Sequence, residues 1–318
     1  DGVRECEVVL AEGAADAAYA QQPVPPQAAR DAFRAHGAAL LEALPAPALG
    51  RHFGGFCDAL DAAAEEADHL GVLMTAARRR YESPAGTRYL EVLASVQARL
   101  PSYRAFAAML LADAPRFRHV MNAALGEYRL RTGARSAAQP FPDLGEDGGR
   151  AEAPFWLLAG GRRRTVSVGA DGTLYADGER VLDLGATSES AEHALEAHDV
   201  LLAPKALALT LFQRLFVADL FVHGTGGGRY DRVTDAVIAG YFGIEPPAFV
   251  VASMTLLLPL GAHVVTDADV VDAERRLNRF EHNPDELLPE VEFDSAEERA
   301  RADGIARQKA AAVAAIAE

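Results

Sequence analysis

The chain has 318 residues and a formal net charge of −15 at pH 7, a balance that argues against non-specific attraction to nucleic acid or an anionic membrane. A chain of this length buries roughly 74% of its unfolded surface on folding, so its core needs no disulfide or metal staple. Its two cysteines, Cys6 and Cys57, stand far apart, which fits a reducing cytoplasm and leaves a structural zinc site unexpected.

No apolar run reaches membrane-spanning length, and no signal peptide is visible. The start at Asp1 without an initiator methionine predicts a trimmed or incomplete chain. Val3 to Leu10 reads as a strand, and Pro23, Pro25 and Pro26 mark a loop. Helices are predicted over Asp31–Leu44, Phe56–Thr75 and Arg88–Leu100. A further one opens at Pro101, with Tyr103, Phe106, Met109 and Leu110 at core spacing. Pro115 restarts the pattern, and Phe117, Val120, Met121, Leu125 and Tyr128 share one face. Residues 1–140 therefore read as a mainly helical region whose apolar stripes are core.

A loop rich in Pro, Gly, Asp and Glu over Gln139–Arg150 marks a boundary. The period then changes. Short runs at Phe155–Leu158, Arg164–Val168, Thr173–Tyr175 and Val181–Leu184 alternate with Gly160-Gly161, Asp171-Gly172 and Asp177-Gly178. Turn dipeptides between β-rich runs predict an antiparallel meander. Trp156, the sole tryptophan, sits at its entrance, as core or as a ligand wall. A short helix over Ser188–His198, capped by Ser188 or Ser190, should follow.

Between Leu201 and Pro259 the expected order is helix, strand, glycine loop, helix, strand. Pro204 suits a first helical turn, and Leu207, Leu211, Phe212 and Leu215 repeat at helical spacing. Leu220, Phe221 and Val222 read as a buried parallel strand. After the glycines, Val233, Thr234, Val237, Ile238 and Tyr241 repeat helically until Gly243. Phe249–Ser253 is the next strand. Beyond Pro259 two acidic helices are predicted, Asp267–Phe280 and Ser295–Ile316, joined by a connector with Asp285, Glu286, Glu290, Glu292 and Asp294. The fold class expected is α/β, a Rossmann-like parallel core with an antiparallel β meander and extensive helical additions. Its regions would be 1–140, 141–262 and 263–318.

The segment His223-Gly224-Thr225-Gly226-Gly227-Gly228-Arg229-Tyr230-Asp231 is where such a fold binds its ligand. Glycines between a strand and a helix start let amides approach a phosphate or carboxylate, although a plain tight turn has the same spacing. It is not a Walker loop, because no Gly-Lys-Ser/Thr follows. Arg229 stands where the dinucleotide fingerprint needs its third glycine. Lysine occurs only at 205 and 309. Lys205 is either a countercharge for the ligand or a solvated first-turn residue. Asp231 and Asp235, one turn apart, either complement the helix dipole or hold Mg²⁺ beside a nucleotide. Tyr230, Arg229 and Gln213 are further polar candidates. No Gly-x-Ser-x-Gly elbow and no His-Glu-x-x-His helix occurs.

Leu202-Ala-Pro-Lys-Ala-Leu, Leu211-Phe-Gln-Arg, Leu220-Phe-Val-His-Gly-Thr-Gly-Gly and Phe242-Gly-Ile-Glu-Pro-Pro follow one another in an order that resembles the bacillithiol-biosynthesis cysteine-adding enzymes. The resemblance is closer to a bacterial branch with a His-Gly-x-Gly-Gly loop, and it covers roughly residues 150 to 260. It implies a Rossmann-like core and a cytoplasmic ligase that joins an amino acid, cysteine by analogy, to a small carboxylated acceptor. It also implies a bound adenine nucleotide (ADP or ATP). Carried over by position, Gly224, Gly226 and Gly227 are the loop, Gln213 the helix glutamine and Pro204 the helix start. The family's loop glutamate is a glycine here, the arginine of its next strand is missing, and its N-terminal Thr-Gly-Gln-Gln motif is absent. Two functions are therefore expected. In the first, a ligase, His223 and the glycine amides Gly224, Thr225, Gly226, Gly227 and Gly228 stabilise phosphate or an oxyanion, with Lys205 or Arg229 as countercharge. In the second, a catalytically degenerate member binds a nucleotide or a protein.

Overall fold

A computed structural model describes residues 8–10, 17–42, 44, 46–86, 88–134, 140–257, 265–289, 291, 293 and 295–316. The chain divides into two compact units, Asp1–Pro259 and Leu260–Glu318. Most of the predicted strand at Val3–Leu10 lies outside the described residues, as does Cys6.

Helices α1 (Gln27–Glu42), α2 (Pro47–Ala64) and α3 (Leu70–Glu82) enclose a small core of Leu60, Ala63, Leu70, Leu73 and Ala77, with Phe33 packed against it. The single helix predicted over 56–75 is thus two helices. The break falls at the charged run Glu65–Asp68, and His69 Nδ1 accepts from the amides of Gly71 and Val72 at 3.1 and 3.3 Å, capping α3. The helix predicted over 88–100 shrinks to one turn, α4 (Ala94–Gln97). Its first half is drawn out of helical form by side-chain ties to α3: Glu91 pairs with Arg78, and Tyr89 donates to Glu82.

Helices α5 (Pro101–Ala112) and α6 (Ala114–Thr132) carry Pro101 and Pro115 in their first turns, as predicted, because the missing N–H is unpaired there. They cover an antiparallel sheet of β1 (Glu146–Asp147), β2 (Arg150–Ala159), β3 (Arg162–Val168), β4 (Thr173–Ala176) and β5 (Glu179–Asp183), in chain order. Gly160-Gly161 and Asp177-Gly178 make the β2–β3 and β4–β5 turns, each with positive φ at both residues, as tight hairpins need. Helix α7 (Ser188–Ala197) is capped by Thr187, one residue earlier than expected, and Ser190 completes the reciprocal box.

Pro204 does not open a helix. It ends β6 (Leu202–Pro204), which pairs antiparallel with Phe155–Leu157 of β2, so the helix α8 (Ala206–Phe212) starts two residues later. The main core runs from Tyr103, Phe106 and Phe117 on α5 and α6 through Phe155, Val166 and Leu174 in the sheet to Phe212 and Val237. It therefore crosses position 140, where composition marked a boundary.

The predicted parallel core is reduced to two three-residue strands, β7 (Phe221–His223) and β8 (Phe249–Val251), paired in parallel. Between them runs α9 (Thr225–Val237), continued by a wider turn to Phe242 and stopped at Gly243. Val222 and Val251 remain 55% and 47% exposed, so β7 is not the buried strand expected. The physical reason is that β7 pairs with β8 alone among the described residues, so no strand covers its other edge and the pair stays at the surface.

In the second unit, α10 (Asp267–His282) carries a Thr266/Asp269 capping box, and α11 (Ala296–Ile316) begins where Ser295 Oγ accepts from Glu298 N at 3.2 Å. Lys309 Nζ donates to Asn283 Oδ1 at 2.9 Å and pairs with Asp285. Glu290, Glu292 and Asp294 lie outside the described residues. Among the described residues no helix is long and apolar enough to cross a membrane.

Burial pushes the Tyr241 phenol up to about 12 from an ordinary 10.0, with Asp113 adding to the effect, and raises Tyr103 as well. The unfolded phenols ionise near pH 10 and the folded ones later. The linked stability is therefore complete below pH 10 and is lost as pH rises through about 12, costing about 2–3 kcal/mol for Tyr241. Urea midpoints taken between about pH 9 and about pH 11.5 should fall steeply for the native chain and less steeply for Tyr241→Phe.

Candidate functional site

Strand β7 delivers His223 to the start of α9. Gly224 is the N-cap, with extended backbone and no side-chain cap. Gly226, Gly227 and Gly228 are not a free loop, as the sequence suggested, but the first turn of the helix itself, since Gly228 N already donates to Gly224 O at 2.9 Å. A helix whose first amides meet no capping side chain exposes them to any anion that approaches. Gly224, Thr225 and Gly226 are exposed.

The glycines also make room. A methyl group at Gly227 would lie 2.2 Å from His223 Nδ1, and one at Gly228 would lie 2.4 Å from Val251 Cγ2. The imidazole thus lies against the first turn of α9, edge-on to Phe221 and Phe249 at centroid distances of 4.6 and 6.1 Å. His223 O anchors the segment after β8 by accepting from Ala252 N at 2.8 Å.

Behind His223 sits an ion cluster that the sequence did not reveal. Arg214, in the wide π-type turn Gln213–Val217 after α8, is buried, with its side chain 1% exposed. Its Nη1 donates to Asp231 Oδ2 at 2.9 Å, and its Nη2 donates to Asp235 Oδ1 at 2.8 Å and to the Pro247 carbonyl. The guanidinium lies 4.9 Å from the Phe249 ring centre. Asp231 is equally buried, and its Oδ2 is 3.5 Å from His223 Nε2 without a hydrogen bond between them. His223 Nε2, Asp231 Oδ1 and Arg214 Nε have no hydrogen-bond partner among the described residues. One signal could have found Arg214: it is the single charge in the apolar run Leu211-Phe-Gln-Arg-Leu-Phe-Val.

Of the remaining predicted residues, Lys205, Gln213 and Tyr230 have their partners elsewhere. Lys205, the N-cap of α8, pairs with Glu152 and sits 4.4 Å from the Trp156 ring centre. Gln213 donates to Gln97 Oε1 of α4. Arg229 is on the exposed side of α9. Tyr230 packs edge-on against Tyr128 and Phe141 at 6.4 and 6.1 Å. Asp231 and Asp235 are both engaged by Arg214, so a Mg²⁺ ion there would have to displace a guanidinium. Among the described residues no group of three or more His, Cys, Asp or Glu side chains converges as a metal site. A scan against protein-family models and a search of curated proteins found no match to this chain.

Proposed function

We propose that this chain binds an anionic ligand, an adenine nucleotide by the family resemblance, at the N-terminus of α9, and that it works as a binding module. The observation that carries this reading is the uncapped first turn Gly224–Gly228 at the carboxyl end of β7, within a β7–α9–β8 parallel crossover. The reading extends this crossover to a Rossmann-like relationship with the cysteine-adding enzymes and places the protein in the cytoplasm. Binding is favoured over catalysis because Lys205 is paired with Glu152 and the two carboxylates are spent on Arg214. Ligation of an amino acid to a carboxylated acceptor is the second reading. What favours it is His223 Nε2, which has no hydrogen-bond partner among the described residues and lies 3.5 Å from Oδ2 of the buried Asp231, a setting that suits proton transfer.

The test is a thermal-shift panel of phosphate, AMP, ADP and ATP with and without Mg²⁺. The variants are Gly226→Asp, which places a carboxylate where the helix dipole welcomes it but an anion would be repelled, and His223→Ala. At 100 times its dissociation constant a ligand stabilises the native state by ~2.7 kcal/mol, a shift of several degrees. That shift should vanish in Gly226→Asp. Equal shifts in Gly226→Asp and the native chain would rule out this site. Ligase turnover that His223→Ala removes while leaving the nucleotide shift intact would replace the binding reading with the catalytic one.

A further inference from the structure

A concavity lies at the opposite end of α8 from Arg214, between residues 140–144 and the β2–β6 pair. It is a cleft of about 410 Å³, within the range of small-molecule sites. Its walls are mostly apolar, from Met121, Phe141, Leu144, Trp156 and Leu207. Four prolines, at 140, 142, 154 and 204, line it without contributing an N–H. The irregularity in β2 between Glu152 and Trp156 holds Pro154, whose carbonyl accepts from Lys205 N at 2.9 Å. This fixes the lysine stem over the indole.

The hydrogen-bonding capacity of the lining is one-sided. The acceptor side chains are already engaged. Glu152 takes Lys205 on one oxygen and Gly145 N on the other at 2.6 Å. Asp143 accepts from Arg129 Nη1 on both oxygens, at 2.9 and 3.0 Å. The Phe141 carbonyl accepts from Arg129, and that of Leu144 from Arg118 and Asn122. The donors are in surplus. An ammonium has three N–H bonds, and the only acceptor side chain it meets among the described residues is Glu152; the indole N–H of Trp156 makes no hydrogen bond among them. A ligand that completes this lining brings acceptor oxygens and an apolar body.

We propose that the cleft binds a small monocarboxylate with a flat apolar body, its carboxylate on Lys205 Nζ and the Trp156 edge. Binding here is independent of any anion at α9.

Trp156 is the sole tryptophan, so its emission reports on this cleft alone. Benzoate, with benzyl alcohol and benzylamine as neutral and cationic counterparts, should be titrated into the full chain. Benzoate should change the emission saturably below about 10 mM, as a ligand of this size permits. Benzyl alcohol should bind at least about tenfold more weakly, and benzylamine not measurably. Lys205→Met should weaken benzoate at least about tenfold, whereas Lys205→Arg, which keeps charge and donors, should stay within a few-fold. Far-ultraviolet circular dichroism of each variant establishes that it is folded. A benzylamine response equal to that of benzoate, a benzoate response unchanged in folded Lys205→Met, or no saturable response at all would overturn the assignment.

Discussion

Replacing Arg214 by Met is expected to destabilise the Asp1–Pro259 unit by about 3–5 kcal/mol, one of the two largest single-site effects expected in this chain. The substitution keeps an unbranched apolar stem but removes the cation that holds Asp231, whose side chain is 1% exposed. An unpaired carboxylate at that depth is the costly species. The expected result carries its own check. Adding Asp231→Asn to Arg214→Met should recover a sizeable part of the loss, because the stranded charge is gone, whereas Asp231→Asn alone should cost more than it does in the double variant. Arg214→Lys should not rescue, since one ammonium cannot span Asp231, Asp235 and the Pro247 carbonyl. Urea unfolding followed at Trp156, with the midpoints compared at constant slope, measures all four. A loss under about 1 kcal/mol for Arg214→Met would mean the cluster contributes nothing that an apolar side chain cannot.

The second large effect is at Phe212. Its ring is 1% exposed and meets Tyr103, Phe106 and Phe216 at centroid distances of 5.0, 5.5 and 5.6 Å. Tyr103 and Phe106 in turn stack edge-on against Phe155 of the sheet, at 6.3 and 6.4 Å. The cluster ties α5, α8 and β2 together. Phe212→Ala opens a cavity among rings that cannot close over it, with an expected cost of about 3–5 kcal/mol. Phe216→Ala removes the same atoms from a ring that is 54% exposed, and should cost less than about 1 kcal/mol. Thermal unfolding of the pair separates burial from contact. Equal losses at the two positions would show that the Phe212 ring is not held in a closed core.

The parts of the fold that were legible are those written in local chemistry. Pro101 and Pro115 announced helix starts, Gly160-Gly161 and Asp177-Gly178 announced hairpins, and Gly243 announced a stop. Each of these acts through the φ of one or two residues or through one missing N–H, so neighbours decide it. The errors share a different cause. Pro204 was equally good as a helix opener or as the last residue of an edge strand, and pairing with β2, about fifty residues earlier, chose the strand. The run at 56–75 kept helical spacing across its break, because periodicity does not register the His69 cap.

The site divides in the same way. That His223 would sit at a strand end, with glycines and then a helix after it, followed from the order of residues 220–241, since apolar runs and glycines are local signals. Which side chains meet there did not. Arg214 reaches Asp231 across 17 residues and Lys205 reaches Glu152 across 53. Such pairings depend on how α8 and α9 pack and on the register of β6 against β2, which no local pattern encodes. By itself, then, the sequence determined the proline-opened helices, the hairpin turns and the candidate strand-to-helix junction at His223. Only the tertiary structure decided that the glycines are helix rather than loop, that Asp231 and Asp235 hold an arginine, and that Lys205 faces Trp156. Local backbone preferences need only neighbours, whereas charge partners are selected by burial, and burial exists only once the chain has packed.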